Sequence, residues 1–98
     1  MKTIYMVTEK GLRTVKIGCT KDWTKRRKAY RTHSTCVRII DVKDGTRADE
    51  KRYQKMLLEM GFTKAFPNSP KSEWFRLPKE MKKSELEHLG FGIFGEDE

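Results

Sequence analysis

The segment pattern predicts a small single domain of mixed α and β structure. The chain has 98 residues, one domain's length where domains typically run to roughly 100 to 150 residues. Two β-branched, alternating runs stand at its start, and two helix-start signals follow with another strand-like run between them. Strands interleaved with capped helices in so short a chain leave room for one core only.

Taken in order, Thr3 to Val7 and Thr14 to Cys19 alternate and are separated by Glu9, Lys10 and Gly11, which predicts a β-hairpin. In the second run Val15, Ile17 and Cys19 share one face, so Lys16 and Gly18 share the other, where a missing side chain lets a neighbour approach the backbone. Asp22 is suited to cap a helix reaching about Arg31, with Trp23, Arg26 and Tyr30 on one inward stripe. Cys36 to Val42 predicts a third strand, and Asp44-Gly45 turns the chain into Thr46-Arg47-Ala48-Asp49, a capping-box-like start to a second helix. Its core stripe is Tyr53, Met56, Leu57 and Met60. Glu50 lies on the same stripe, which aims a carboxylate toward the sheet. Gly61 is placed to end this helix. Pro67 to Pro70 reads as a loop, Glu73 to Leu77 as a short apolar segment, and Lys79 to Leu89 as a polar helix, with Gly90 to Glu98 an acidic, mobile tail. The domain is thus expected over residues 1–78, with 79–98 adding a helix and tail to it.

Charge is the strongest compositional signal. The net formal charge is +8, and residues 1–57 hold +10 of it while residues 58–98 hold −2. Lys10 to Arg31 contains nine basic residues and one acid, a density that repels itself and calls for a polyanionic partner. Nucleic acid, with double-stranded DNA foremost, fits this better than a membrane surface, because Asp22 to Arg31 offers only Trp23, Ala29 and Tyr30 as apolar surface. No apolar run approaches the roughly 20 residues of a membrane span. Cys19 and Cys36 lack a CxxC spacing and no signal peptide precedes them, so a cytoplasmic, non-secreted protein is expected. Neither cysteine forms with His33 or His88 a pair spaced like a zinc finger or ribbon.

Tyr5, the run Lys16-Ile17-Gly18, Arg26 and then Glu50 follow one another in an order that resembles the GIY-YIG nuclease superfamily. Thr3-Ile4-Tyr5 stands at the first motif, Lys16-Ile17-Gly18 at the second, and Cys19 to Tyr30 at the link into the arginine-bearing helix. The later Glu73-Trp74-Phe75 looks like a signature of the small phage-associated branch with KIG in place of YIG. The resemblance covers about residues 3 to 77. It implies an α+β fold with a small antiparallel three-stranded sheet flanked by helices. It further implies a DNA endonuclease that hydrolyses phosphodiester bonds with one Mg²⁺ or Mn²⁺ ligated by Glu50, and candidate catalytic residues Tyr5, Lys16, Arg26, Tyr30 and Glu50. Asn68 is the only asparagine near the place where other branches carry one.

The residue chemistry agrees in part. Phosphodiester hydrolysis needs a water in line with the scissile bond and neutralisation of charge on the phosphate. One carboxylate suffices for Mg²⁺, which keeps several waters, although a glutamate in a first helical turn is also explained by the helix dipole. Arg26 presents a donor fork suited to phosphate, or else pairs with an acid. Tyr5 and Tyr30 are phenols for positioning or activating water, or core aromatics. Lys16 is a base if desolvated and a phosphate clamp if charged. Lys21, Lys25, Arg27, Lys28 and Arg31 form the expected backbone-gripping face. The competing functions are a cleavage-inactive protein that binds nucleic acid with the same fold and an inhibitor that binds an acidic protein through the same basic face.

Overall fold

The computed structural model of the chain describes residues 2–33, 36–69 and 72–95. Seven residues of β1, Thr3–Glu9, turn through Gly11 into β2, Thr14–Thr20, as the alternating runs predict. The pairing is antiparallel, with Tyr5 opposite Gly18 and Val7 opposite Lys16. The third predicted strand is β3, Val37–Asp44, which flanks β1 on its other side and shifts register between Met6 and Val7.

The sheet has five strands rather than the three expected from the resemblance. Two short strands, β4 (Thr63–Lys64) and β5 (Trp74–Arg76), extend it beyond β2 in the order β3-β1-β2-β5-β4. The segment from Glu73 to Leu77, expected only to be apolar, is a strand because Val15 and Lys16 offer it a ladder at Phe75 and Trp74. Strands this short are defined by a partner, not by a pattern of their own.

Period-two alternation sorts the side chains between the two faces of the sheet. Ile4, Met6, Val15 and Ile17 point into one buried cluster with Tyr53 and Leu57 of α2, Arg47–Glu59. Tyr5 and Val7 point the other way, toward α1, Trp23–His33. The ends of α2 are coded locally. Thr46 and Asp49 form the expected capping box, and the hydrogen bonds from Thr46 hold the Asp49 carboxyl below the usual range. Gly61, at φ 100°, donates to Leu58 and Phe62 donates to Leu57, the paired bonds of a Schellman motif. Of the predicted stripe on α2, Tyr53 and Leu57 are buried, Met56 is half-buried and Met60 is exposed beyond the last turn.

The C-terminal part departs most from expectation. The helix expected over Lys79 to Leu89 is shorter, α3 at Lys83–Leu89. A 3-10 helix at Gly90–Phe94 then replaces the mobile tail predicted for its first residues. Phe91 is buried, the rings of Phe91 and Phe94 stand 5.2 and 4.7 Å from that of Tyr53, and the Phe91 N–H donates to Asp41 at 3.0 Å. The predicted tail residues 96–98 lie outside the described residues. Arg13 fastens this part to the hairpin, donating to the carbonyls of Pro78 at 2.6 Å and Met81 at 2.8 Å.

Candidate functional site

The stripe on α1 converges on one phenol. Asp22 caps the helix, accepting from the Lys25 N–H at 3.0 Å. The spacing of three and four then brings Trp23, Arg26 and Tyr30 onto Tyr5. The Trp23 ring stacks on Tyr5 at 5.2 Å, the Tyr30 ring meets it edge-on at 5.9 Å, and Arg26 donates to the Tyr5 hydroxyl at 3.0 Å. The Tyr30 hydroxyl donates to the same oxygen at 3.4 Å. A hydroxyl has two acceptor positions and one proton, so these two bonds leave the Tyr5 O–H itself to donate. Burial above all raises Tyr5 well above an ordinary tyrosine, so it holds its proton at neutral pH. Arg26 is exposed apart from this contact, and the neighbouring phenols raise its pKa, so it stays charged.

Gly18 explains how Tyr5 reaches its place. It is the register partner of Tyr5, and a Cβ there would overlap the Tyr5 ring and hydroxyl. The neighbour that the bare strand position admits is therefore a side chain of the protein itself.

Glu50 is 1% exposed. Gln54 steadies it from the next turn of α2, donating to the Ile17 carbonyl at 2.9 Å and to Glu50 Oε2 at 3.5 Å. Oε1 has no hydrogen-bond partner, and Arg47 stands 3.7 Å away from it. Burial raises the Glu50 carboxyl to about 7, and Glu73 adds to the rise by hydrogen bonding and by like charge, against Arg47 and Lys51. The sequence treats Glu73 only as part of a signature, yet it links the site. It reaches Glu50, its charge is felt by Tyr5, and it stands 3.9 Å from Lys16 Nζ. The one available signal is that Glu73 is the sole acid between Glu59 and Glu80.

Tyr5, Arg26 and Tyr30 thus touch, Lys16 pairs loosely with Glu73, and Glu73 acts electrostatically on both Glu50 and Tyr5. Lys21, Lys25, Arg27, Lys28 and Arg31 are all exposed, and Arg27, Lys28 and Arg31 line one shallow depression with Thr24. Asn68 is exposed in the turn after β4. Among the described residues no three of His, Cys, Asp and Glu form a metal cage, and no helix is long and apolar enough to cross a membrane. The Glu50–Glu73 pair nevertheless fits a hard cation, because carboxylate oxygens are the donors Mg²⁺ takes and one of them is buried without a hydrogen bond.

The model of the T5orf172 domain matches residues 2–89 of the chain; the family is phage-associated and related in general to nuclease-type folds. No curated protein and no solved structure matches.

Proposed function

The chain belongs to the T5orf172 domain family, and from that premise we propose that it is a DNA endonuclease of the GIY-YIG kind, hydrolysing phosphodiester bonds with one divalent metal. The observation that carries this is the buried Glu50 carboxylate, whose Oε1 has no hydrogen bond, in a domain that also gathers an arginine and two tyrosines on one hydroxyl. A protein that only gripped nucleic acid would gain nothing from desolvating a carboxylate.

Glu50 would hold the Mg²⁺ or Mn²⁺, which when bound activates a water and offsets charge on the phosphate. Arg26 uses the part of its guanidinium not turned to Tyr5 to bind a non-bridging phosphate oxygen. Tyr5, protonated and held by Arg26 and Tyr30, donates a hydrogen bond through its own O–H to the attacking water or to the phosphate and so fixes the angle of attack. Lys16 acts as a phosphate clamp rather than a base, because its ammonium faces the Glu73 carboxylate. Arg27, Lys28 and Arg31, with Lys21 and Lys25, grip the DNA backbone along the outer face of α1.

The test is cleavage of duplex DNA by the purified protein with Mg²⁺ or Mn²⁺ and with a chelator. Wild type is expected to cut only with the metal, and Glu50→Gln to bind DNA without cutting. A wild-type protein that binds and never cuts would leave a pure binding protein. Cutting at the wild-type rate by Glu50→Gln would overturn the assignment of the metal to this residue.

A further inference from the structure

We propose that Glu73 is a second protein ligand of the divalent cation, so that the ion sits between the first turn of α2 and the start of β5. This rests on the metal-dependent function proposed above and adds a carboxylate that the family resemblance does not assign.

The geometry of four residues supports it. Gln54 fixes the Glu50 side chain through Oε2 and the Ile17 carbonyl, which leaves Oε1 buried and without a hydrogen bond. An acceptor oxygen so desolvated is unfavourable unless something positive or protic meets it; Arg47, itself exposed, meets it at 3.7 Å in a loose ion pair without a hydrogen bond, which leaves room for a more strongly bound cation. Glu73 follows from the ladder. Trp74 is the last β5 residue paired with β2, opposite Lys16, so Glu73 lies one residue further along, toward Ile17, whose carbonyl Gln54 ties to Glu50. Its side chain is 33% exposed against 2% for that of Glu50, which places one carboxylate at the mouth of the site and the other at its base. Lys16 faces Glu73 at 3.9 Å, a loose ion pair that a dication can outcompete.

Two carboxylates that share a site both stay ionised only when positive charge offsets their repulsion. A dication balances both charges, and Mg²⁺ with one or two carboxylates keeps the remaining positions for water and phosphate oxygens. The site is therefore open toward the substrate and closed toward the core, which suits hydrolysis.

The experiment measures Mn²⁺ binding without DNA, by electron paramagnetic resonance of the free ion, on wild type, Glu50→Gln, Glu73→Gln and Glu73→Asp, with thermal melts of each. Glu73→Gln is expected to bind Mn²⁺ at least roughly tenfold more weakly, since even outer partners of a metal site cost that much. Its melting temperature should stay near wild type, because the side chain is partly exposed. Glu73→Asp, which keeps the charge but withdraws it, should fall between the two. Wild-type affinity in Glu73→Gln together with loss in Glu50→Gln would overturn Glu73 as a ligand and leave the metal on Glu50 alone. Wild-type affinity in Glu73→Asp would also overturn it, should the Gln variant fail to fold. Absence of Mn²⁺ binding by wild type would overturn both this ligand and the metal-dependent function.

Discussion

Tyr5 and Gly18 face each other across the β1–β2 ladder, and the phenol of one occupies the space that a side chain on the other would fill. Gly18→Ala therefore forces the Tyr5 ring away from Arg26 and Tyr30. Overpacking of this kind destabilises by about 1–3 kcal/mol. Denaturant unfolding should show that loss, and DNA cleavage should fall further than stability does. A Gly18→Ala protein as stable and active as wild type would mean that Tyr5 can move without consequence.

Arg26→Lys separates charge from geometry. Lysine keeps the positive charge but cannot reach the Tyr5 oxygen and a phosphate oxygen together. Cleavage is expected to drop by roughly a hundredfold, the scale of losing one oriented donor in a transition state, while DNA affinity changes little. Equal turnover in single-turnover assays would reduce Arg26 to a general counter-charge.

Lys16→Met keeps the length of the side chain and removes the ammonium from a half-buried strand position. The expected outcome is slower cleavage with a melting temperature near wild type. Full activity would make Lys16 an ordinary strand lysine whose ion pair with Glu73 has no catalytic consequence.

Salt should act strongly on binding. About six phosphate contacts from the basic face lose roughly a thousandfold in affinity between about 50 and 200 mM salt. Reversing Arg27, Lys28 and Arg31 to Glu should weaken binding to all sequences alike and flatten that salt slope. Fluorescence anisotropy with two unrelated duplexes measures both, and unchanged affinity would remove the outer face of α1 as the grip.

A pH dependence follows from Glu50. Burial, with Glu73 beside it, raises its carboxyl to about 7 from the ordinary 4.5 in the metal-free protein. A carboxyl that binds its proton more tightly when folded contributes stability that is complete below the unfolded value and is lost as pH rises through the folded one. Metal-free wild type should thus melt higher at about pH 5 than at about pH 8, relative to Glu50→Gln, which lacks the titration. Mn²⁺ competes with the same proton, so its binding should strengthen above neutrality. Parallel melting curves for the two proteins across that window would show that Glu50 is ionised throughout.

How much of this was legible beforehand depends on how local each signal is. The hairpin, the caps at Asp22 and Thr46, the stop at Gly61 and the stripes that carry Trp23, Arg26, Tyr30 and Glu50 can be read from the residues alone, because each is encoded within a turn or two of chain. So can the basic face, since charge density needs no fold to be read. The remainder depends on contacts between distant parts of the chain. β4 and β5 are too short to show a period and exist because the β2 edge accepts them. Phe91 and Phe94 look like tail residues until Tyr53 gives them a surface. Glu73 becomes part of the site only when the β2–β5 ladder carries it to Glu50, a non-local contact that no spacing along the chain records.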